Sequence, residues 1–449
     1  MMRNARQVVR KRTGLRLAPA AMAAALLTGA LTAHAGQDED RYVVVKTKKA
    51  ITITGEEIDG ALIVIKGGRI EAVGKKVDYP SDSRVIDASD LIAMPGLINP
   101  RSRLGLLRVR RTGNQSHRKL SDLYYPPDDD TYRKLLESGY TLLGLYPDGH
   151  GLPGQYLVQT TFKPKEKGGV KTDGLIRMTF DRPSRDRKTL TAVLKAARAE
   201  IERQRKAASQ PSTASRPADK AGKAASQPAS GPATKPATAP ATRPAGKPAS
   251  RPAAKVSPEL APIMALLKKD KGYRALVEFS RASDVIHFED VTDDADFPRA
   301  YVFTGFPASD LHHVIDHKLL GKADALLALS PMLPRLPLTV NPYNPAREFT
   351  AAGCRVAFFP ASDTVEGHRR MRERLAFLVR AGLDRKDALK GITLHAAEWL
   401  GVEKDYGAIE KDKRGDLIFL DGDPLDPFAR VRRVMINGEM VVNLERSKR

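Results

Sequence analysis

The chain holds a single cysteine, Cys354, among its 449 residues, which excludes an internal disulfide. A thiol nucleophile wants a basic partner to lower its pKa. Cys354 has only Arg355 beside it, and the run Gly353-Cys354-Arg355-Val356-Ala357-Phe358-Phe359 reads as the start of a buried strand. Cys354 is therefore read as a core residue. No G-x-S-x-G elbow, Walker loop or cysteine-based zinc motif is present, so serine-hydrolase, P-loop and zinc-finger chemistry lose their usual signatures. Gly149-His150-Gly151-Leu152-Pro153-Gly154 does spell G-x-G-x-x-G. The dinucleotide version needs a helix N-terminus directly after it, whereas Pro153 lies inside the motif and Gln155–Phe162 reads as extended. It is taken as a glycine-rich loop at a strand end. Long apolar runs are also missing beyond the first 35 residues, and a bilayer span needs roughly 20.

Those first residues read as a secretory signal peptide, residues 1–35. Arg3, Arg6, Arg10, Lys11, Arg12 and Arg16 form a basic region, Leu17 to Leu31 is apolar, and Ala33-His34-Ala35 has the form of a cleavage site. The rival reading is an uncleaved anchor helix, for which the apolar run is short. The chain is expected to be exported, to a periplasmic or extracellular space, with no stable transmembrane segment once the signal is cleaved.

The net charge of +22 is unevenly spread. Much of it lies in the signal segment and in a stretch around Lys206 to Lys255 that repeats as Pro-Ala-x-x from Pro228. That stretch lacks the apolar residues that would offset the entropy of ordering, so 206–255 is expected to be a disordered insertion. It is read as a tolerated surface insertion or as a weak, salt-sensitive contact to anionic surface polymer or lipid. No basic face with aromatic or helical readers accompanies the charge, so nucleic acid is not expected as a partner.

The two ends of the chain read as short strands. Tyr42–Val45, Ile51–Thr54, Ala61–Ile65, Arg69–Val73 and Val85–Asp87 are apolar runs broken by turns, with a Gly67-Gly68 hairpin signal. Asp416–Leu420 and Val431–Ile436 follow at the far end, and Asn437-Gly438 turns into Glu439–Val442. Between them, buried-strand patterns (Tyr140–Tyr146, Ala275–Phe279, Ala300–Phe303, Ala325–Leu329, Arg355–Phe359) alternate with helical ones (Thr131–Glu137, Ser309–Leu320, Arg369–Ala381). Such alternation favours a parallel α/β architecture, without separating a barrel from an open sheet.

Several blocks in order resemble the amidohydrolase superfamily, in its imidazolonepropionase-like group. They are Gly68-Arg69-Ile70-Glu71-Ala72-Val73-Gly74, Val85-Ile86-Asp87-Ala88 and Met94-Pro95-Gly96-Leu97-Ile98 at the front. At the back stand Thr393-Leu394-His395-Ala396-Ala397-Glu398-Trp399-Leu400-Gly401, Tyr406-Gly407-Ala408-Ile409-Glu410 and Gly415-Asp416-Leu417-Ile418-Phe419-Leu420-Asp421-Gly422-Asp423-Pro424-Leu425. The resemblance implies an α/β fold: a (β/α)8 TIM-like barrel with a composite β-sandwich domain formed by both chain ends. It divides the chain into 36–96 and 401–449 for the sandwich and 97–400 for the barrel.

The resemblance also implies hydrolysis of non-peptide carbon–nitrogen bonds by a water on zinc or another divalent metal. The family's first barrel strand carries His-x-His as metal ligands. Here Asn99-Pro100-Arg101-Ser102-Arg103 stands in that place. A guanidinium stays protonated and offers donors only, so Arg101 and Arg103 cannot ligate a metal. Glu278 stands near the expected strand 5 histidine, no histidine ends strand 6, and Asp363 keeps the strand 8 carboxylate. No metal or other cofactor is therefore expected. Arg101 or Arg103 is expected to pair with Asp363, Glu278 or both, because a buried carboxylate is costly without a cation. In a variant of this reading one arginine captures an anionic ligand. His150 and His368, in loops that reach the barrel mouth, join Glu278 as candidate substrate-binding residues, with Asp363, Arg101 and Arg103 as candidate catalytic ones. The cluster His312, His313 and His317 is read as surface histidines, a relocated metal site being the rival. The expected function is a catalytically impaired pseudoenzyme that binds a small-molecule ligand or a partner. The alternative is an active hydrolase using Asp363 with an arginine electrophile or a non-standard metal site.

Overall fold

The computed structural model describes residues 41–162, 169–209, 256–304, 311–316, 324–336 and 338–444. The signal segment, 210–255 of the Pro/Ala/Lys stretch and His317 lie outside the described residues. The chain divides into two compact units.

The first unit draws on residues up to Gly96 and on 408–424 and 428 onward. Its strands are β1 (Tyr42–Ile51), β2 (Glu57–Asp59), β3 (Leu62–Lys66), β4 (Arg69–Gly74) and β5 (Arg84–Pro95) from the front of the chain. They form one eight-stranded sheet with β15 (Leu417–Leu420), β16 (Val431–Ile436) and β17 (Glu439–Asn443) from the back. The two ends meet where β5 pairs antiparallel with β15, Met94 opposite Ile418. Alternation sets which face is buried: Ile63 and Ile65 of β3, Ala93 of β5, Phe419 of β15 and Met435 of β16 share one core. Gly67 and Gly68 take positive φ in the turn from β3 to β4, as the sequence requires of a tight hairpin.

The second unit spans 97–407 with 425–427. Strands β6 (Leu97–Ser102) and β7 (Tyr140–Leu145) are followed by β8 (Gly154–Gln155), β9 (Leu157–Thr160) and β10 (Leu175–Thr179). Then come β11 (Arg274–Phe279), β12 (Arg299–Phe303), β13 (Leu326–Leu329) and β14 (Arg355–Phe358). β6 pairs parallel with β7, and β10 through β14 pair parallel in sequence order. The segment 154–160 joins these two sheets: β9 runs antiparallel to β7 and β8 antiparallel to β10. With β14 lying back against β6, the strands pass round eight barrel positions, the third of them reversed. That reversal departs from the all-parallel expectation.

The barrel strands are almost wholly buried, β7 along all six residues, as expected where helices cover the outer face. Those helices are α1 (Asp129–Glu137), α2 (Pro183–Ser209), α3 (Ala261–Leu267), α4 (Ala282–Thr292) and α5 (Leu311–Asp316). They continue with α6 (Pro345–Ala351), α7 (Val365–Arg369), α8 (Met371–Arg380), α9 (Arg385–Gly391) and α10 (Leu394–Leu400). Local chemistry sets their ends. The Asp128 carboxylate accepts from the Thr131 amide at the start of α1, and Gly401 closes α10 in the left-handed region. α2 continues to Ser209, four residues into the stretch expected to be disordered, because Arg205-Lys206-Ala207-Ala208 are good helix formers. Trp399, the only tryptophan, is fully buried and donates its indole N–H to the Tyr301 carbonyl at 3.1 Å. Among the described residues, no helix is long and apolar enough to cross a membrane.

Candidate functional site

Side chains alternate along a strand, so residues two apart share a face. The barrel interior is packed by Leu175, Leu276, Val302, Ala328 and Ala357. Two residues beyond each, at the C-terminal end of the strand, stand Arg177, Glu278, Thr304, Ser330 and Phe359. This is the end of a barrel at which sites are built. Arg101 belongs to β6, whose pairing with β7 is irregular between Asn99 and Ser102.

Glu278 is the centre of the arrangement and is 8% exposed. Arg101 donates from Nη2 to its Oε1 at 2.8 Å, and Thr304 donates from Oγ1 to the same oxygen at 2.9 Å. Arg177 donates to Oε2 from both Nε (3.0 Å) and Nη2 (2.6 Å). Burial alone would raise this carboxyl, but the guanidinium groups of Arg177 and Arg101 outweigh it and hold the group at about 2. Burial likewise works against the Arg101 cation, and Glu278 more than restores it. Arg177 is fixed on its other edge, where Nη1 donates to the carbonyls of Pro147 (2.7 Å) and Gly149 (3.1 Å).

Tyr146 floors the cluster. Its ring centroid lies 4.2 Å from the Arg101 guanidinium, 5.0 Å from that of Arg177 and 5.5 Å from that of Arg103. Such cation–π contacts contribute about 0.5–2 kcal/mol each, more as water is excluded. Arg103 turns to Asp148, with Nη1 and Oδ2 3.1 Å apart.

Asp363 is held differently. Ser102 donates from Oγ to its Oδ1 at 2.8 Å, and the Arg103 backbone amide donates to its Oδ2 at 2.5 Å. Of the expected pairings, Arg101 with Glu278 is present, while Arg103 meets Asp363 through its amide.

His368 is 1% exposed and stacks edge-on to Tyr140 at 4.6 Å. Its Nδ1–H donates to the Thr364 carbonyl at 2.7 Å, which leaves Nε2 to accept from the Asn99 amide at 2.9 Å. Burial lowers its pKa and favours the neutral ring that this bonding needs. Asn99 in turn accepts from the Arg101 amide at 2.9 Å through Oδ1. His368 thus positions the β6 backbone beneath Arg101 and reaches no solvent. An asparagine, with one donor and one acceptor, suits both neighbours at once.

His150 lies in the loop after β7 and pairs its Nδ1 with Asp181 at 3.0 Å. In α5, Leu311 and Val314 are buried and His313 is exposed. The rings of His312 and His313 lie 3.9 Å apart.

Sequence reasoning missed Arg177, Tyr146, Thr304, Ser102 and Asp148. Leu175-Ile-Arg-Met-Thr179 is short and interrupted by a charge, so it does not stand out as a strand. The alternation of Leu175, Arg177 and Thr179 was the available signal.

A catalytic metal does not fit this donor set. Each Glu278 oxygen already accepts from two guanidinium or hydroxyl donors, which leaves Asp363, with one donor on each oxygen, as the one carboxylate here with lone pairs to spare. Among the described residues, no three His, Cys, Asp or Glu side chains converge as metal ligands.

The amidohydrolase family model matches residues 343–441. The fold is similar to that of an amidohydrolase from Thermotoga maritima, with a TM-score of 0.67 and 18% identity over 89% of this chain and all of that one. The closing part of the chain thus carries an amidohydrolase-family match, and the fold is of the amidohydrolase kind. Molinate hydrolase shares the fold at a TM-score of 0.50 and 15% identity, covering 90% of this chain and 95% of that one. A 5'-deoxyadenosine deaminase of Methanosphaera stadtmanae is 30% identical over 96 residues, which span 21% of this chain and 23% of the deaminase. The family-model match thus covers α6, β14, the helices after it and the closing strands, and does not include the arginine-bearing β6.

Proposed function

We propose that this amidohydrolase-like protein is a metal-independent binding relative: a pseudoenzyme whose barrel mouth binds a small ligand without hydrolysing it. One observation carries the reading. Glu278 stands between Arg101 and Arg177, so positive charge on guanidinium groups occupies the electrostatic role a cation would have. A guanidinium supplies charge and hydrogen bonds, but it cannot generate a hydroxide nucleophile as a bound metal does. Export to a periplasmic or extracellular space, and weak contact of the basic insertion with anionic polymer or lipid, belong to the same proposal and rest on composition.

The hydrolytic alternative gives Asp363 the proton transfer, with an arginine as electrophile. Each Asp363 oxygen accepts one hydrogen bond, from Ser102 or from the Arg103 amide, and keeps a lone pair for such a proton.

The test is thermal unfolding of the full chain with chelator and with zinc or manganese added singly. A metal bound only to the native state raises the transition by mass action, about 2.7 kcal/mol at a hundredfold excess over its dissociation constant. The proposal expects equal transitions. A metal-dependent rise, with turnover of an amide or amidine substrate, would overturn it.

A further inference from the structure

Exposed apolar side chains are ordinary when scattered and informative when gathered. More than half of the large ones exposed among the described residues lie on two loops at one end of the barrel. The first loop follows β6. Leu107 and Tyr125 are exposed there, and so is Val109 between Arg108 and Arg110. Leu106 bridges to Tyr124, and the Tyr125 amide donates to the Gly105 carbonyl at 3.0 Å, which brings Leu107 and Tyr125 near one another. The second loop follows β13. The Tyr343 amide donates to the Pro334 carbonyl at 2.7 Å and the Leu336 amide to the Asn341 carbonyl at 3.1 Å, which folds the segment into a hairpin. At its tip Val340 is 80% exposed and Leu338 fully so, with the Leu338 φ at +59°, a backbone region that favours glycine. Met332 and Leu333 are exposed at its base.

β6 and β13 run in the same direction round the barrel, so the loops that follow them leave by the same C-terminal end. A cavity of about 220 Å³ is lined by both Arg101 of β6 and Met332 of the hairpin base, so the two loops start on either side of one small opening. Their charge has one sign. Residues 103–121 and 330–347 contain no Asp or Glu. Among the described residues, Arg108 and Arg335 are exposed without an acidic partner, and Arg110 has only Asp148 at 3.9 Å.

We propose that this end of the barrel docks on an anionic lipid surface, with Leu107, Leu338 and Val340 entering the boundary between headgroups and acyl chains and Arg108, Arg110 and Arg335 meeting the lipid phosphates. Apolar side chains beside basic ones are the composition that holds a peripheral protein in a bilayer interface. A second copy of the chain fits less well, since a self-complementary contact would set arginines against arginines with no acid between them. A free polyanion would satisfy the arginines but leave the aliphatic tips in water, because aliphatic side chains offer no stacking surface. The inference concerns a surface other than the basic insertion, and it does not depend on whether the barrel mouth turns over its ligand.

The experiment is titration of the full chain with vesicles of phosphatidylcholine, with and without phosphatidylglycerol, followed by co-sedimentation and by the fluorescence of a Leu338→Trp variant. Trp399, the only native tryptophan, is fully buried, so the added indole reports the hairpin tip. Its emission is expected to move to shorter wavelength on anionic vesicles and to be quenched by lipids brominated in the acyl chain. Leu338→Ser with Val340→Ser should weaken binding to anionic vesicles about tenfold or more. Arg108→Ser with Arg110→Ser should weaken it about tenfold, a difference that shrinks at high salt. The first 35 residues and the basic insertion are the same in every variant, so a loss between variants reports the loops. Vesicle binding without the spectral shift and quenching would place the contact elsewhere on the chain and overturn the proposal. Equal binding to neutral and anionic vesicles, no binding, or a dimer that Leu338→Ser dissociates would each overturn it as well. Metal uptake or turnover bears on the metal-independent reading alone and leaves this outcome unchanged.

Discussion

Replacing Glu278 with glutamine should make the protein's stability less dependent on acid in a calculable way. In the folded chain the Glu278 carboxyl sits at about 2, against an ordinary 4.5. That difference corresponds to about 3 kcal/mol of folding free energy. The folded value is depressed, so the contribution is fully present above pH 4.5 and is lost as pH falls through 2. Glu278→Gln removes the contribution and strands two buried guanidinium groups, for a loss of about 3 to 5 kcal/mol near neutrality. The gap between the two proteins should then shrink by about 2 kcal/mol from pH 5.5 to 3, as the unaltered chain loses what the variant never had. The other acids titrate in both proteins and cancel in the comparison. Urea unfolding at each pH, followed by fluorescence of Trp399, gives the two curves. A gap that stays constant with pH would refute the claim that Glu278 is ionised between Arg101 and Arg177.

Three further outcomes follow from the same geometry. Asn99→Asp puts a carboxylate against the unprotonated Nε2 of His368, and is expected to cost about 2 kcal/mol at pH 8 and less at pH 5, where the ring can take a proton. Proton NMR titration of the histidines should show His368 raised in that variant; an unshifted ring would contradict the assigned tautomer. Gly144→Ala should destabilise by about 2 kcal/mol or more in chemical denaturation, since a Cβ there would collide with the Pro100 carbonyl and the Leu400 side chain. Arg177→Met should destabilise more than Arg103→Met, because Arg177 supplies two hydrogen bonds to buried Glu278 while Arg103 meets a half-exposed Asp148. Equal thermal shifts for the two would count against the central place given to Glu278.

The reach of the sequence differs between fold and site. Arg101 and Arg103 were legible as substitutions because Met94-Pro-Gly-Leu-Ile98 anchors the register of β6. Glu278 was legible because its strand is a plain apolar run. Asn99 and His368 are 269 positions apart, and nothing local to either announces the hydrogen bond between them. His368 looked available in a loop, whereas tertiary packing buries it beneath Tyr140. Arg177 was hidden for a related reason: a charge inside a strand looks like a surface residue until its partner on the next strand is known. The reversal of 154–160 was likewise out of reach, since alternation marks a strand and leaves its direction open. The extension of α2 shows composition and local propensity in conflict, with propensity deciding the first four residues.

Metal content tests the account most directly. The full chain, purified without chelator or histidine tag, equilibrated with zinc and freed of excess by gel filtration, would be measured by inductively coupled plasma mass spectrometry. Far less than one metal per chain is expected. About one equivalent of zinc, iron or manganese, retained when His312 and His313 are replaced by alanine, would contradict it.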